Sequence, residues 1–297
     1  MAPSLMMVLA SLLFATMGVC VKYASAHYSA AEIVFYRGLV GAAVIGWMVM
    51  RRGGTLRTAV PGMHFWRSIS GVAALCMWFY AIGNLPLATA MTLNYMSSVW
   101  MALFLLGGAI LLGGTRVDTR LVATVLAGFA GVALILRPTI EQDQLWHGLI
   151  GLLSGMLSAT AYLQVTALGR AGEPEYRVVF YFSLGGMCAG AAIALTTTGF
   201  HDHSGSGLAL LLAVGILATV AQLLMTRAYA TGGTLVNASL QYLGIVFAFL
   251  YGVVLFDDPV TWMALAGMAL IVMAGMAATF LRSRAAPAST PSSTSDT

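Results

Sequence analysis

Ser4–Ala24, SLMMVLASLLFATMGVCVKYA, and Gly148–Gly169, GLIGLLSGMLSATAYLQVTALG, decide how this chain folds. The first carries no charge before Lys22 and the second carries none. Each has about the 20 residues that a helix needs to cross a hydrocarbon core about 30 Å thick. The two also align. A shift of about 144 positions lays Ala15-Thr16 on Ala159-Thr160, nearly superposes Phe35-Tyr36 on Phe180-Tyr181, and sets Gly131 on Gly275.

Outward from this pair, apolar stretches recur near 4–24, 30–50, 64–83, 87–112, 119–136, 148–169, 177–198, 208–230, 234–256 and 260–281. They read as two runs of five helices, residues 4–137 and 148–281, followed by a Ser/Thr/Pro/Ala-rich tail, 282–297, expected to be a disordered cytoplasmic segment. Five is odd, so the second run enters the membrane in the opposite sense to the first. The expected fold is therefore an all-α membrane protein with ten transmembrane helices as two inverted five-helix repeats. Many secondary transporters are built this way, with the site between the repeats near the bilayer midplane. Solid apolar runs of this length also argue against a barrel, whose strands are shorter and alternate.

Composition agrees. Apolar residues make up 60% of the 297 and charged residues 8%, against about 25% charged in a soluble domain. Loops are short, which leaves no room for an ATPase or kinase domain. Ala24-Ser25-Ala26 resembles a signal-peptidase site, but the leader Met1–Leu5 has no Lys or Arg, so the first helix is expected to be retained.

Basic residues set the orientation. With the N-terminus cytoplasmic, eleven fall on that side: Arg51, Arg52, Arg57, Arg67, Arg116, Arg120, Arg170, Arg177, Arg227, Arg282 and Arg284. Three, Lys22, Arg37 and Arg137, fall on the other. Both termini are thus expected inside a bacterial-type inner membrane. The formal charge of +4 follows from this sidedness and does not point to nucleic acid. Cys20, Cys76 and Cys188 lie within apolar spans and show no metal or disulfide spacing. No cofactor is expected. Gly151-x-x-x-Gly155, Gly186-x-x-x-Gly190 and Ala127-x-x-x-Gly131 offer small faces for close helix contact. Pro86 and Pro259 sit at span boundaries, and nothing suggests deeply broken helices.

Polar residues inside spans are the best pointers to a site, because they cost energy unless they face a cavity or a partner. Arg37 lies about two turns from the outer end of the second span, and the matching position in the second half is near Phe182. It reads either as a counter-charge for an anionic substrate group or as an arginine that snorkels outward or pairs with Glu32. Asn94, Tyr95 and Ser98 mark the fourth span, Gln241 and Tyr242 the ninth, so an amide–tyrosine pair recurs in both halves. Such groups can line a cavity or bond helix to helix. Gln222 lies near mid-depth in the eighth span. Trp78, Tyr80 and Tyr162 are further candidates to line or gate the cavity. Ser154, Ser158 and Thr166 carry less weight, because hydroxyls can satisfy their own helix. His201-Asp202-His203 reads as a solvated loop cluster without a further ligand to complete a metal site.

Trp78-Phe79-Tyr80-Ala81-Ile82 through Leu85-Pro86-Leu87-Ala88-Thr89-Ala90, a polar fourth span and a Gly-rich fifth together resemble the drug/metabolite transporter superfamily, and within it the EamA-type ten-helix carriers. Arg37 looks like an arginine common there. The resemblance covers nearly the whole chain and implies a carrier of amino acids or related metabolites. Export is favoured, with uptake of S-adenosylmethionine-like compounds as the alternative. Two departures stand out. Ser97-Ser98 and Leu243-Gly244 replace a proline often found mid-span, and Gly113-Gly114 and Asp257-Asp258 replace a frequent Gly-Glu. The expected partners are a small-molecule metabolite and the lipid bilayer, with the protein a monomer or homodimer. A lipid-modifying membrane enzyme or a scaffold are the competing classes.

Overall fold

The computed structural model describes residues 2–97, 145–231 and 240–285, with scattered positions between 99 and 134. Ser98, most of the fifth span, the start of the ninth and residues 286–297 lie outside the described residues. The first half supplies α1 (Pro3–Ala24), α2 (Ala30–Arg52), α3 (Pro61–Asn84) and α4 (Leu87–Tyr95). The second supplies α5 (Leu145–Arg170), α6 (Glu175–Thr196), α7 (Gly205–Thr231), α8 (Leu243–Phe256) and α9 (Trp262–Ala285). Among the described residues all regular structure is helical, and six helices are long and apolar enough to cross a membrane. Helix α9 runs to Ala285, into the stretch read as tail.

Local sequence explains the boundaries. Pro3 and Pro61 open α1 and α3, where a missing N–H costs nothing. Ser29 and Glu32 form a reciprocal capping box at the start of α2, and Gly53, at φ 64°, ends that helix in the left-handed region. Asp257, at φ 50°, does the same for α8 with a short polar side chain in place of glycine. The outward surface is apolar: Trp47, Met50, Trp66 and Leu195 are largely exposed, and Trp262 is 87% exposed. Lipid is the solvent that covers such a surface.

The helices pair across the halves. α1 packs chiefly on α7, α2 on α6 and α3 on α5, while α4 contacts both α5 and α8. Exchanging the two halves leaves this pairing unchanged, as an inverted repeat requires. Glycines permit the close approaches. An added Cβ at Gly38 would lie 2.4 Å from the Met187 backbone nitrogen, and one at Gly190 would lie 2.6 Å from that of Phe35. Gly155 meets the Leu93 carbonyl oxygen at 2.5 Å, and Gly131 meets the Gly267 carbonyl oxygen at 2.8 Å, measured the same way. All three small-residue faces expected from sequence thus touch another helix.

The fourth and ninth spans share a local irregularity. The Val99 N–H donates to the Met96 carbonyl at 2.9 Å, and the Ile245 N–H to the Tyr242 carbonyl at 3.0 Å. Both bonds span three residues rather than four, so each helix tightens there. The turn begins at Met96, just after Asn94-Tyr95, in the first half and on the tyrosine of Gln241-Tyr242 in the second. The sequence, which gives no sign of deeply broken helices, gives none of this tightening either. Gly244 leaves room for the Tyr95 ring: an added Cβ would meet the Tyr95 hydroxyl oxygen at 2.5 Å.

Polar clusters bind the bundle at both faces. On the face that carries the N-terminus, Glu173 accepts hydrogen bonds from Thr58 (2.9 Å) and Arg177 (3.0 Å) and pairs with His64 at 3.1 Å. Tyr181 and Arg177 donate to the Leu56 and Thr55 carbonyls at 2.9 and 3.2 Å, tying the α2–α3 loop to α6. On the opposite face Asp258 pairs with Lys22 at 3.1 Å and accepts the Leu87 N–H at 2.9 Å, capping α4.

Burial alone would raise the Glu173 carboxyl, but bonds from Arg177, Thr58 and His64, with the Arg177 charge, outweigh it and hold the group below its ordinary value. A carboxyl depressed in the folded state contributes stability that is present above its unfolded pKa and lost as pH falls through the folded value. Thermal stability should therefore hold at neutral pH and fall on acidification below about pH 4. Glu173→Gln should flatten that fall and lower Tm at pH 7, by about 2–4 °C for each kcal/mol lost. Melting curves of both proteins from neutral to acid pH check this. An unchanged acid limb in the variant would remove Glu173 from the account.

Candidate functional site

Between the halves lies a cavity of about 560 Å³, counting its mouth. Side chains from α1 to α7 line it, with Gln241 added just before α8. Seven of the residues singled out from sequence meet here: Arg37, Trp78, Asn94, Tyr95, Tyr162, Gln222 and Gln241.

Each is held by a neighbour. Arg37, 5% exposed, turns inward, with Nη2 3.4 Å from the Gln222 side-chain oxygen and its guanidinium carbon 5.0 Å from the Phe182 ring centre. The alternative pairing with Glu32 is overturned. Glu32 accepts instead from the Ser29 N–H at 2.9 Å and the His201 N–H at 2.7 Å, and also meets the His201 ring at 2.7 Å. The Asn94 amide donates to Ser154 at 3.2 Å and Ser158 at 3.1 Å, so interhelical bonding and cavity lining hold together. The Tyr162 hydroxyl bonds to the Gln241 side chain.

The remaining expectations fare differently. Tyr80 points away and packs on His147, ring centres 5.3 Å apart. Tyr242 is buried in the apolar core beside the cavity rather than on its wall. Ser98 is outside the described residues. His201, Asp202 and His203 are exposed, as read from sequence, while His201 also bonds Glu32 and His203 the Tyr36 hydroxyl.

Sequence reasoning missed Arg67. Counted there among the surface cations, it is 4% exposed and lines the cavity, its guanidinium 4.2 Å from the same Phe182 ring. Its only signal is Gly71, one turn on: an added Cβ there would fall 1.8 Å from Arg67 Nη1. The glycine leaves the groove through which the arginine folds back. Ser158 and Phe182 also line the cavity.

Among the described residues the wall therefore combines two guanidiniums, neutral amides and phenols, and apolar surface from Phe14, Leu75 and Met225, with no Asp or Glu. Guanidiniums are suited to a carboxylate or phosphate, which their planar fork can hold through two bonds.

Comparison with known proteins agrees. Residues 1–137 match the EamA-like transporter family. The chain is 33% identical to the pseudopaline exporter of Pseudomonas aeruginosa, over 92% of this chain and 94% of that protein. It is 31% identical to the riboflavin transporter of Rhizobium johnstonii over 59% of this chain and 56% of the relative. A protein of known crystal structure, 23% identical, superposes with a TM-score of 0.66 over 94% of this chain and 98% of the other, which supports the fold. The full-length relative, the family match and the membrane-length helices agree: this multi-pass membrane protein belongs to the EamA-like transporter family, within the drug/metabolite transporter superfamily.

Proposed function

We propose that the protein is a secondary active exporter of a small organic metabolite bearing a carboxylate, an amino acid or amino-acid derivative, in a bacterial-type inner membrane. The observation that carries this reading is Arg37, buried in a cavity between the halves whose wall also carries neutral amides and phenols from both. A cation at that depth costs about 2.5–3.5 kcal/mol on insertion scales. An anionic solute offsets that cost where no protein carboxylate lines the cavity. Helices paired between the two repeats, 4–137 and 148–281, rock about the site and expose it to each side in turn.

Export is favoured by the name of the Pseudomonas relative. A sulfonium cation such as S-adenosylmethionine suits a doubly basic chamber poorly. Cytoplasmic termini are supported by the basic-residue asymmetry. With buried Arg37 and Arg67 removed from their sides, the count is ten against two.

Counterflow tests the function. Liposomes carrying the purified protein and loaded with unlabelled amino acids or their derivatives should accumulate the labelled compound transiently from outside. Absence of movement for every solute, with lipid turnover found instead, would sink the carrier reading.

A further inference from the structure

The cavity holds two buried cations and, among the described residues, no counter-charge. Among the described residues, the carboxylates that form ion pairs are Asp258 with Lys22, Glu173 with His64 and Arg177, and Glu32 with His201, and none of them lines this chamber. Arg67 Nε and Nη1 have no hydrogen-bond partner, nor does Arg37 Nε. Arg37 Nη2 makes only the long 3.4 Å bond to Gln222. A buried guanidinium without an anion is costly, and two that repel each other cost more.

Their placement is built. Arg37 enters two turns from the start of α2, and Arg67 two turns from the start of α3, so they reach in from opposite faces of the bundle. Both guanidiniums converge on Phe182, at 5.0 and 4.2 Å from its centre. Gly71 is the device that allows this, since any side chain there would occupy the space of the Arg67 guanidinium. Phe182 sits where the repeat places the counterpart of Arg37, so the second cation does not come from the repeat symmetry. It is contributed by α3.

We propose that Arg67 forms a second anion subsite and that the solute is a small dicarboxylate, one carboxylate on Arg37 and the other on Arg67, its body lying against Phe182. This rests on the reading of the cavity as the solute site. Arginine suits the task, because its planar fork holds a carboxylate through two bonds.

Matched pairs test it. Purified protein in nanodiscs is titrated calorimetrically with succinate and succinamate, glutarate and glutaramate, and glutamate and glutamine. Each pair differs by one carboxylate exchanged for an amide. The diacid is expected to bind about 10–100-fold more tightly than its monoamide, the range of a charge-assisted bond. Arg67→Gln should erase that difference. Gly71→Ala, which keeps the charge and displaces the guanidinium, should reduce it. The wild-type comparison needs no variant, so a misfolded variant does not remove the test.

Equal affinity within every pair, or no binding by any diacid, overturns the proposal. So does an equal loss for diacid and monoamide in Arg67→Gln, which would mean that both arginines grip one carboxylate. Because binding is read without transport, a diacid preference without counterflow would sink the carrier reading alone. Counterflow of a monocarboxylate unaffected by Arg67→Gln would sink this one alone.

Discussion

Arg37→Gln is expected to cut transport by at least about 10–100-fold while leaving the protein folded. The loss is that of a charge-assisted hydrogen bond to the solute, about 1.5–3 kcal/mol. Fold stability should not suffer. Arg37 makes one long protein hydrogen bond and shares Phe182 with a second guanidinium, so neutralising it relieves a like-charge contact. Removing one partner of a buried ion pair would strand a charge and destabilise the protein; here no such partner exists among the described residues. Counterflow rate and Tm, measured on the same preparation, separate the two effects. Wild-type transport by Arg37→Gln would remove the arginine from the site. A large fall in Tm would make it a structural residue.

Gly38→Val is expected to have the largest effect on stability. The missing Cβ position lies 2.4 Å from the Met187 nitrogen and 2.5 Å from the Ser183 carbonyl oxygen. Both are backbone atoms of α6, so no rotamer change relieves the clash and the helices must separate. Overpacking in a well-filled interior costs about 1–3 kcal/mol, occasionally more, and a backbone clash belongs at the upper end. The contact is reciprocal, because Gly190 meets the Ala31 carbonyl oxygen at 2.7 Å and the Phe35 nitrogen at 2.6 Å. Gly46 is the control: its nearest neighbour is Phe180 at 3.9 Å, so Gly46→Ala should be neutral or gain up to about 1 kcal/mol of helix propensity. Melting curves in detergent compare the two. A Gly38→Val protein that melts with the wild type would show that α2 and α6 are not closely packed.

Much of this was legible in the chain. Hydropathy found α1 to α3 and α5 to α7 to within a few residues, because lipid forces long uncharged runs into helices. The pairing of α1 with α7 and of α3 with α5 follows from repeat symmetry once five helices are counted per half. Within the ninth span the register changes at Tyr242, where a tightened turn precedes α8. No hydropathy profile registers a change in hydrogen-bond register.

The site was read unevenly, for identifiable reasons. Trp78 and Tyr80 are two apart on α3, so they face nearly opposite directions and only one can reach the cavity. Arg67 was lost for a different cause. Distance from the loop assigned it to the membrane surface, while its true course depends on Gly71 beneath it and on Phe182, far away in sequence. Ser154 and Ser158 seemed self-satisfied. Ser154 does donate to the Gly151 carbonyl at 2.6 Å, yet both hydroxyls also receive the Asn94 amide.

The central claim is that one cavity opens to each side of the membrane in turn. Ala161 lines that cavity and its side chain has no hydrogen bond to lose. With Cys20, Cys76 and Cys188 replaced, Ala161→Cys can be challenged with a membrane-impermeant maleimide in right-side-out and in inverted vesicles. The account predicts labelling from both faces, with a transported solute changing the rate. Labelling from one face alone, unaltered by any solute, would mean a binding pocket rather than a transport path and would contradict it.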